Sequence, residues 1–213
     1  MEFEQLLEIV AGEPVFETGL LLAGKVDPAN VHLQLTRWKN AGRVYQLRRG
    51  LYALAPPYQK VRPHPFLIAN RLQRASYVSC QSALAFYGLI PDTPYTTISV
   101  TSGRSGRWRT PLGDFEFRHI QPARLRGYCT IDLGNRQQAL VATPEKALLD
   151  LVYLQPGGDA PAYLGELRLQ NLERLDEAEL QRQARAFDSP KLSRAAAHVA
   201  SLAKQEAQEY ETL

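Results

Sequence analysis

Residues 28–54, PANVHLQLTRWKNAGRVYQLRRGLYAL, read as one helix followed at once by a tight two-stranded hairpin. Asp27 is a good helix N-cap, and Pro28 stands at the first helical position, where no backbone N–H is needed. Val31, Leu35 and Trp38 recur at i, i+4 and i+7, which makes one buried helical face. Gly42 ends the helix as a C-terminal glycine. Residues 43–47 and 51–54 then read as strands around Arg48, Arg49 and Gly50, a turn whose glycine can take positive φ. The face opposite the apolar stripe carries Leu33, Thr36, Arg37 and Asn40, with Asn30 and Gln34 on its flank and Lys39 beside it. His32 falls on the side of the helix rather than among the base readers. A polar helix face abutting a hairpin tipped by two arginines is how a winged helix-turn-helix holds double-stranded DNA. The helix enters the major groove and the hairpin touches backbone or minor groove. Arginine can pair bidentately with guanine, and asparagine or glutamine with adenine. Arg43, Arg48 and Arg49 suit phosphate contacts, which position the protein without specifying sequence.

Outward from this stretch, Phe3, Leu6, Leu7 and Val10 follow helical spacing and predict a helix over 2–11. Gly12-Glu13-Pro14 breaks it, and residues 15–23 (VFETGLLLA) read as a second, short helix that Gly24 ends. Downstream, four prolines between Ala55 and Pro65 make a semi-rigid linker that also carries Lys60 and Arg62. The expected organisation is a DNA-binding domain over 1–60 and a second domain over 65–213. In the second domain, helices are expected over 66–74 and from Ser79 to Tyr87, around a brief extended run at 76–78. Strands are expected at 96–101, 114–120, 127–133 and 137–143. Residues 102–109 read as a Gly/Ser/Arg loop whose Arg104, Arg107 and Arg109 are candidates for an anionic partner, as are Lys60 and Arg62. Thr143-Pro144 opens a helix, Asp176 with Glu179 makes a capping box, and Ser189-Pro190 starts a final Ala-rich helix. The fold class is α+β: an N-terminal winged helix-turn-helix, then a domain with a small, mainly antiparallel sheet and surrounding helices.

Charge is segregated along the chain. Residues 1–27 carry one base and six acids, residues 28–126 fifteen bases and three acids, and residues 127–213 nine bases and thirteen acids. From Pro28 to Pro91 there is no Asp or Glu, a run of 64 residues that contains the helix and hairpin. Counterion release from phosphates rewards such a surface. No apolar run approaches the ~20 residues of a membrane helix, and MEFEQLLEIV lacks the basic start of a signal peptide. With two cysteines and no CxxC pair, a reduced, cytoplasmic protein without a structural metal is expected.

Nothing in the chain composes a catalytic centre, so no enzyme activity and no cofactor are expected. Asp114 and Glu116 on one strand are similar to the acidic pair of restriction-like nucleases, but that site needs a lysine where Arg118 stands. Glu145 and Asp150, five apart on a helix, do not converge, and Glu145 matches the dipole at the helix start. The four histidines are scattered without metal spacing, and no glycine-rich phosphate loop precedes a helix. The competing readings are a nuclease-like second domain brought to nucleic acid by the winged helix, and a repressor whose second domain holds a small ligand in an apolar pocket.

Four stretches taken in order resemble the AbiEi-family antitoxins of abortive-infection toxin–antitoxin pairs. They are RRGLYAL at 48–54, YVSCQSAL at 77–84 with Tyr87-Gly88-Leu89, TPEKALLDL at 143–151, and FDSPKL at 187–192. The resemblance implies a winged helix that binds inverted repeats upstream of its own operon. It also implies a C-terminal domain that neutralises a nucleotidyltransferase-like toxin without a stable complex.

Overall fold

The computed structural model of the chain describes residues 1–10, 12–23 and 26–211. Its N-terminal part is built from α1 (Phe3–Val10), β1 (Phe16–Glu17), α2 (Thr18–Leu21), α3 (Pro28–Asn40), β2 (Val44–Arg48) and β3 (Leu51–Leu54). The sequence signals around α3 act as expected. Asp27 accepts a hydrogen bond from the Ala29 amide at 3.0 Å, and Gly42 and Gly50 both take positive φ. Val31, Leu35 and Trp38 are buried against Phe3, Leu6, Val10, Leu21, Val44 and Leu54.

The expected helix over 15–23 is shorter than its apolar pattern suggests. Phe16 and Glu17 instead pair antiparallel with Tyr52 and Leu51, so the hairpin becomes a three-stranded sheet ordered β1-β3-β2. Backbone pairing to an exposed hairpin edge overrides helical periodicity here, because the strand satisfies amides that a fraying helix end would leave open. Ala11 and Gly24, the expected ends of the first two helices, lie outside the described residues.

The rest of the chain runs α4 (Pro65–Leu72), β4 (Ser76–Val78), α5 (Cys80–Phe86), β5 (Thr96–Thr101), β6 (Gly106–Thr110), β7 (Gly113–His119), β8 (Tyr128–Asp132), β9 (Gln138–Ala142), α6 (Pro144–Leu154), α7 (Pro161–Glu166), α8 (Glu177–Ala186) and α9 (Pro190–Glu211). The strands form one six-stranded sheet, ordered β6-β7-β5-β4-β9-β8. This sheet is mixed: β5 pairs parallel with β7 and β4 parallel with β9, while the other three pairings are antiparallel. The parallel β5–β7 pairing follows from β6. Residues 106–110, all but the last within the stretch 102–109 expected as a loop, pair antiparallel with β7 from Gly106↔Phe117 to Thr110↔Gly113. That hairpin reverses the chain once more and returns β7 parallel to β5. α4 lies against β4, β5 and β9, while α5 packs on α6, which α8 and α9 cover.

Two apolar clusters result. The smaller belongs to residues 3–54. The larger fills the second sheet and its helices, yet Val15, Leu47, Leu51 and Ala53 from the first sixty residues belong to it too. Alternate positions of the small sheet therefore face different cores. Tyr52 and Leu54 look inward to α1 and α3, and Leu51 and Ala53 look across to the second domain. The proline-rich connection is pinned as well: the Gln137 side chain donates to Arg62 O at 3.0 Å and accepts from the His64 amide at 2.8 Å.

Candidate nucleic-acid interface

The outward face of α3 presents Asn30, Thr36, Arg37, Lys39 and Asn40 to solvent, with Gln34 half-buried at its flank. Leu33, 49% exposed, sits among them as an apolar group of the kind that meets a thymine methyl. Thr36 Oγ1 donates to His32 O at 2.9 Å, so its hydroxyl is bonded back into the helix. Lys39 Nζ lies 3.4 Å from Gln46 Oε1, and Gln46 Nε2 donates to the Tyr52 hydroxyl at 3.3 Å. This chain of side chains fixes the helix face relative to the hairpin. Arg43 stands with its guanidinium 4.9 Å from the Phe3 ring centroid, which orients it while its charge remains available.

The two hairpin arginines have separate fates. Arg49 is exposed. Arg48 is turned toward the second domain, where Nε and Nη2 donate to Arg71 O at 3.2 and 3.1 Å. That carbonyl lies in the last turn of α4, the negative end of its dipole. Arg48 also faces Glu17 at 3.7 Å, and Arg74 faces the other oxygen of Glu17 at 3.8 Å. Arg48 is thus a tie between the two halves of the molecule rather than a free tip residue.

Arg104, Arg107 and Arg109 are exposed, and β6, which carries the last two, lies beside β2. The fold therefore brings this group next to the hairpin. Arg107 is held by Glu116 at 3.0 Å, the residue opposite it in the strand register. Lys60 and Arg62 are exposed on the connection anchored by Gln137. Sequence reading passed over Arg71 and Arg74, which belong to the same acid-free run and stand exposed at the end of α4. The acid-free run itself is the signal that points to them.

A second polar constellation, also passed over, lies inside the large domain. Asp150, fully buried, is ion-paired with Lys146 and accepts from the Tyr77 hydroxyl at 2.9 Å and Ser79 Oγ at 2.8 Å. Burial pushes the Asp150 carboxyl up and the Lys146 ammonium down, and the pair opposes both shifts. Burial together with the Asp150 charge pushes the Cys80 thiol up to about 12. Glu145, read as a dipole-matching acid, is buried and accepts from the Asp176 amide at 3.0 Å. Of the nuclease-like set, Asp114 is exposed, Glu116 is bound to Arg107, and Arg118 donates to Leu154 O at 2.7 Å.

Among the described residues, no group of three His, Cys, Asp or Glu side chains is placed to hold a metal ion, and no helix is long and apolar enough to cross a membrane. No protein-family model matches the chain, and no curated protein matches it.

Proposed function

We propose that this protein is a DNA-binding transcriptional repressor acting in the cytoplasm, with residues 1–60 serving as a winged helix-turn-helix. The observation that carries this reading is the outward face of α3. Asn30, Arg37 and Asn40 stand exposed on one helix beside the exposed Arg49 and the ring-oriented Arg43 of the hairpin region. Asn and Arg are the side chains that read adenine and guanine edges in the major groove, and a thirteen-residue helix fits that groove. In this reading Lys39, Arg43 and Arg49 meet phosphates, and Arg104, Arg107 and Arg109 extend the same positive surface beyond the hairpin.

Following the AbiEi resemblance, the operator is an inverted repeat upstream of the protein's own gene. Residues 65–213 neutralise a nucleotidyltransferase-like toxin without forming a stable complex with it. Two experiments test the two halves. Fluorescence anisotropy with a duplex from the upstream region should give sequence-dependent binding that Arg37→Ala weakens. Co-expression with the product of the adjacent gene should restore growth. Equal affinity for operator and scrambled duplex would remove the repressor reading. Absence of rescue by the full chain would remove the antitoxin reading.

A further inference from the structure

A cavity of about 300 Å³ opens between the start of α4, the end of α5 and residues 93–97. Its walls are aromatic: His64, Phe66, Phe86 and Tyr95, with Pro94 and Thr93 beside them. The first three form a ladder. His64 and Phe66 meet edge to face with centroids 4.9 Å apart, and Phe66 and Phe86 lie 5.5 Å apart. Tyr95 is wholly exposed, and Phe86, packed between Phe66 and Tyr87, is still 43% exposed, so both rings reach water. Among the described residues no Asp, Glu, Lys or Arg lines the cavity. Burial lowers the basicity of His64. Its Nδ1 accepts from the Phe66 amide at 3.1 Å, which leaves the ring proton on Nε2 as a donor.

Cations stand near the His64 end of this aromatic floor. Lys60 and Arg62 are exposed four and two residues before His64, and Arg136 is exposed beside Gln137, the residue that grips Arg62 and His64. The nearest acid in sequence, Asp92, is ion-paired with Arg168. Neutral, water-exposed rings near positive charge make a surface matched to unstacked bases on a phosphate backbone. An acidic peptide would find the cations but waste the rings, and a neutral apolar peptide would leave the cations unused.

We infer that this groove binds single-stranded nucleic acid, with bases stacked on Phe86 and Tyr95 and phosphates met by Lys60, Arg62 and Arg136. The site is separate from the α3 face and reads a different form of nucleic acid. The test uses the full chain and a labelled single strand of about twelve nucleotides, made as DNA and as RNA, with an operator duplex measured in parallel. Phe86→Ala and Tyr95→Ala should each weaken the single strand about tenfold. Arg62→Ala should lessen the slope of its log affinity against log salt by roughly 0.7, and duplex affinity should stay within twofold for both aromatic replacements. A preference for RNA or for DNA would say which strand the groove takes. Tyr95 is wholly exposed and Phe86 partly so, and melting curves verify that each variant is folded. Single-strand affinity indifferent to both aromatic replacements would overturn the inference. So would binding of free adenosine with no binding of strands, which would make the groove a small-molecule site. Failure of the duplex arm alone would count against the repressor reading and leave this one standing.

Discussion

Two residues at the hairpin tip, adjacent in sequence, are predicted to behave oppositely. Arg49→Ala should weaken every DNA sequence about equally and reduce the slope of log affinity against log salt by roughly 0.9, as one lost phosphate contact does. Arg48→Ala should leave that slope unchanged and lower stability to urea by about 1–2 kcal/mol, since it removes charge-assisted bonds to Arg71 O at a partly exposed site. Anisotropy titrations and urea melts separate the two. At the buried pair, Asp150→Ala should cost on the order of 3–5 kcal/mol, because it strands the Lys146 ammonium in the core. The double replacement Lys146→Met with Asp150→Leu should be less harmful than Asp150→Ala, since no unpaired charge remains. If the double variant is the worse of the two in urea, the ion pair contributes more than its own neutralisation. Neither the Arg48 tie nor the buried pair is visible in sequence. Arg48 bonds a backbone carbonyl 23 residues away, and Lys146 and Asp150 look like any i, i+4 surface pair until α8 and α9 cover them.

At the scale of elements, legibility follows the range of the interactions. α3 and the β2–β3 turn are set by neighbours within a few residues: a cap, a proline, an apolar stripe and glycines at positive φ. Such signals survive in the sequence. β6 has no such signal. Its Gly-Arg-Trp-Arg-Thr pattern buries nothing fully, and it becomes a strand because β7 offers it a ladder. Phe16 and Glu17 follow the same logic against β3. The α3 element supports its own prediction. Arg37→Ala should cost on the order of 1–3 kcal/mol of operator affinity and relax preference at one base position. With Arg48 committed to Arg71 and Arg37 reading a base, three cations of α3 and the hairpin region meet phosphates: Lys39, Arg43 and Arg49. Their share of the wild-type salt slope should be roughly −2.7, at about 0.9 per phosphate. A flat response to salt would remove the whole basic-face argument.

Across the whole molecule, the proline cluster near residue 60 marks a change of composition but not an end of packing. The small domain keeps its own core of Leu6, Val10, Val31, Leu35 and Trp38, and gives Val15, Leu47, Leu51 and Ala53 to its neighbour. Residues 1–62 expressed alone should therefore fold only marginally, since a domain of ~60 residues has little core to spare and this one would expose four apolar side chains. A fragment as stable as the full chain by circular dichroism would show that those four contribute nothing. The shared sheet has one more consequence, written in heat. Side chains on one face of β3 belong to the first core and those on the other face to the second, so neither half can melt without opening the strand that closes the other. Calorimetry of the intact protein should record a single endotherm whose van't Hoff and calorimetric enthalpies agree, the signature of one cooperative unit rather than two joined by a hinge.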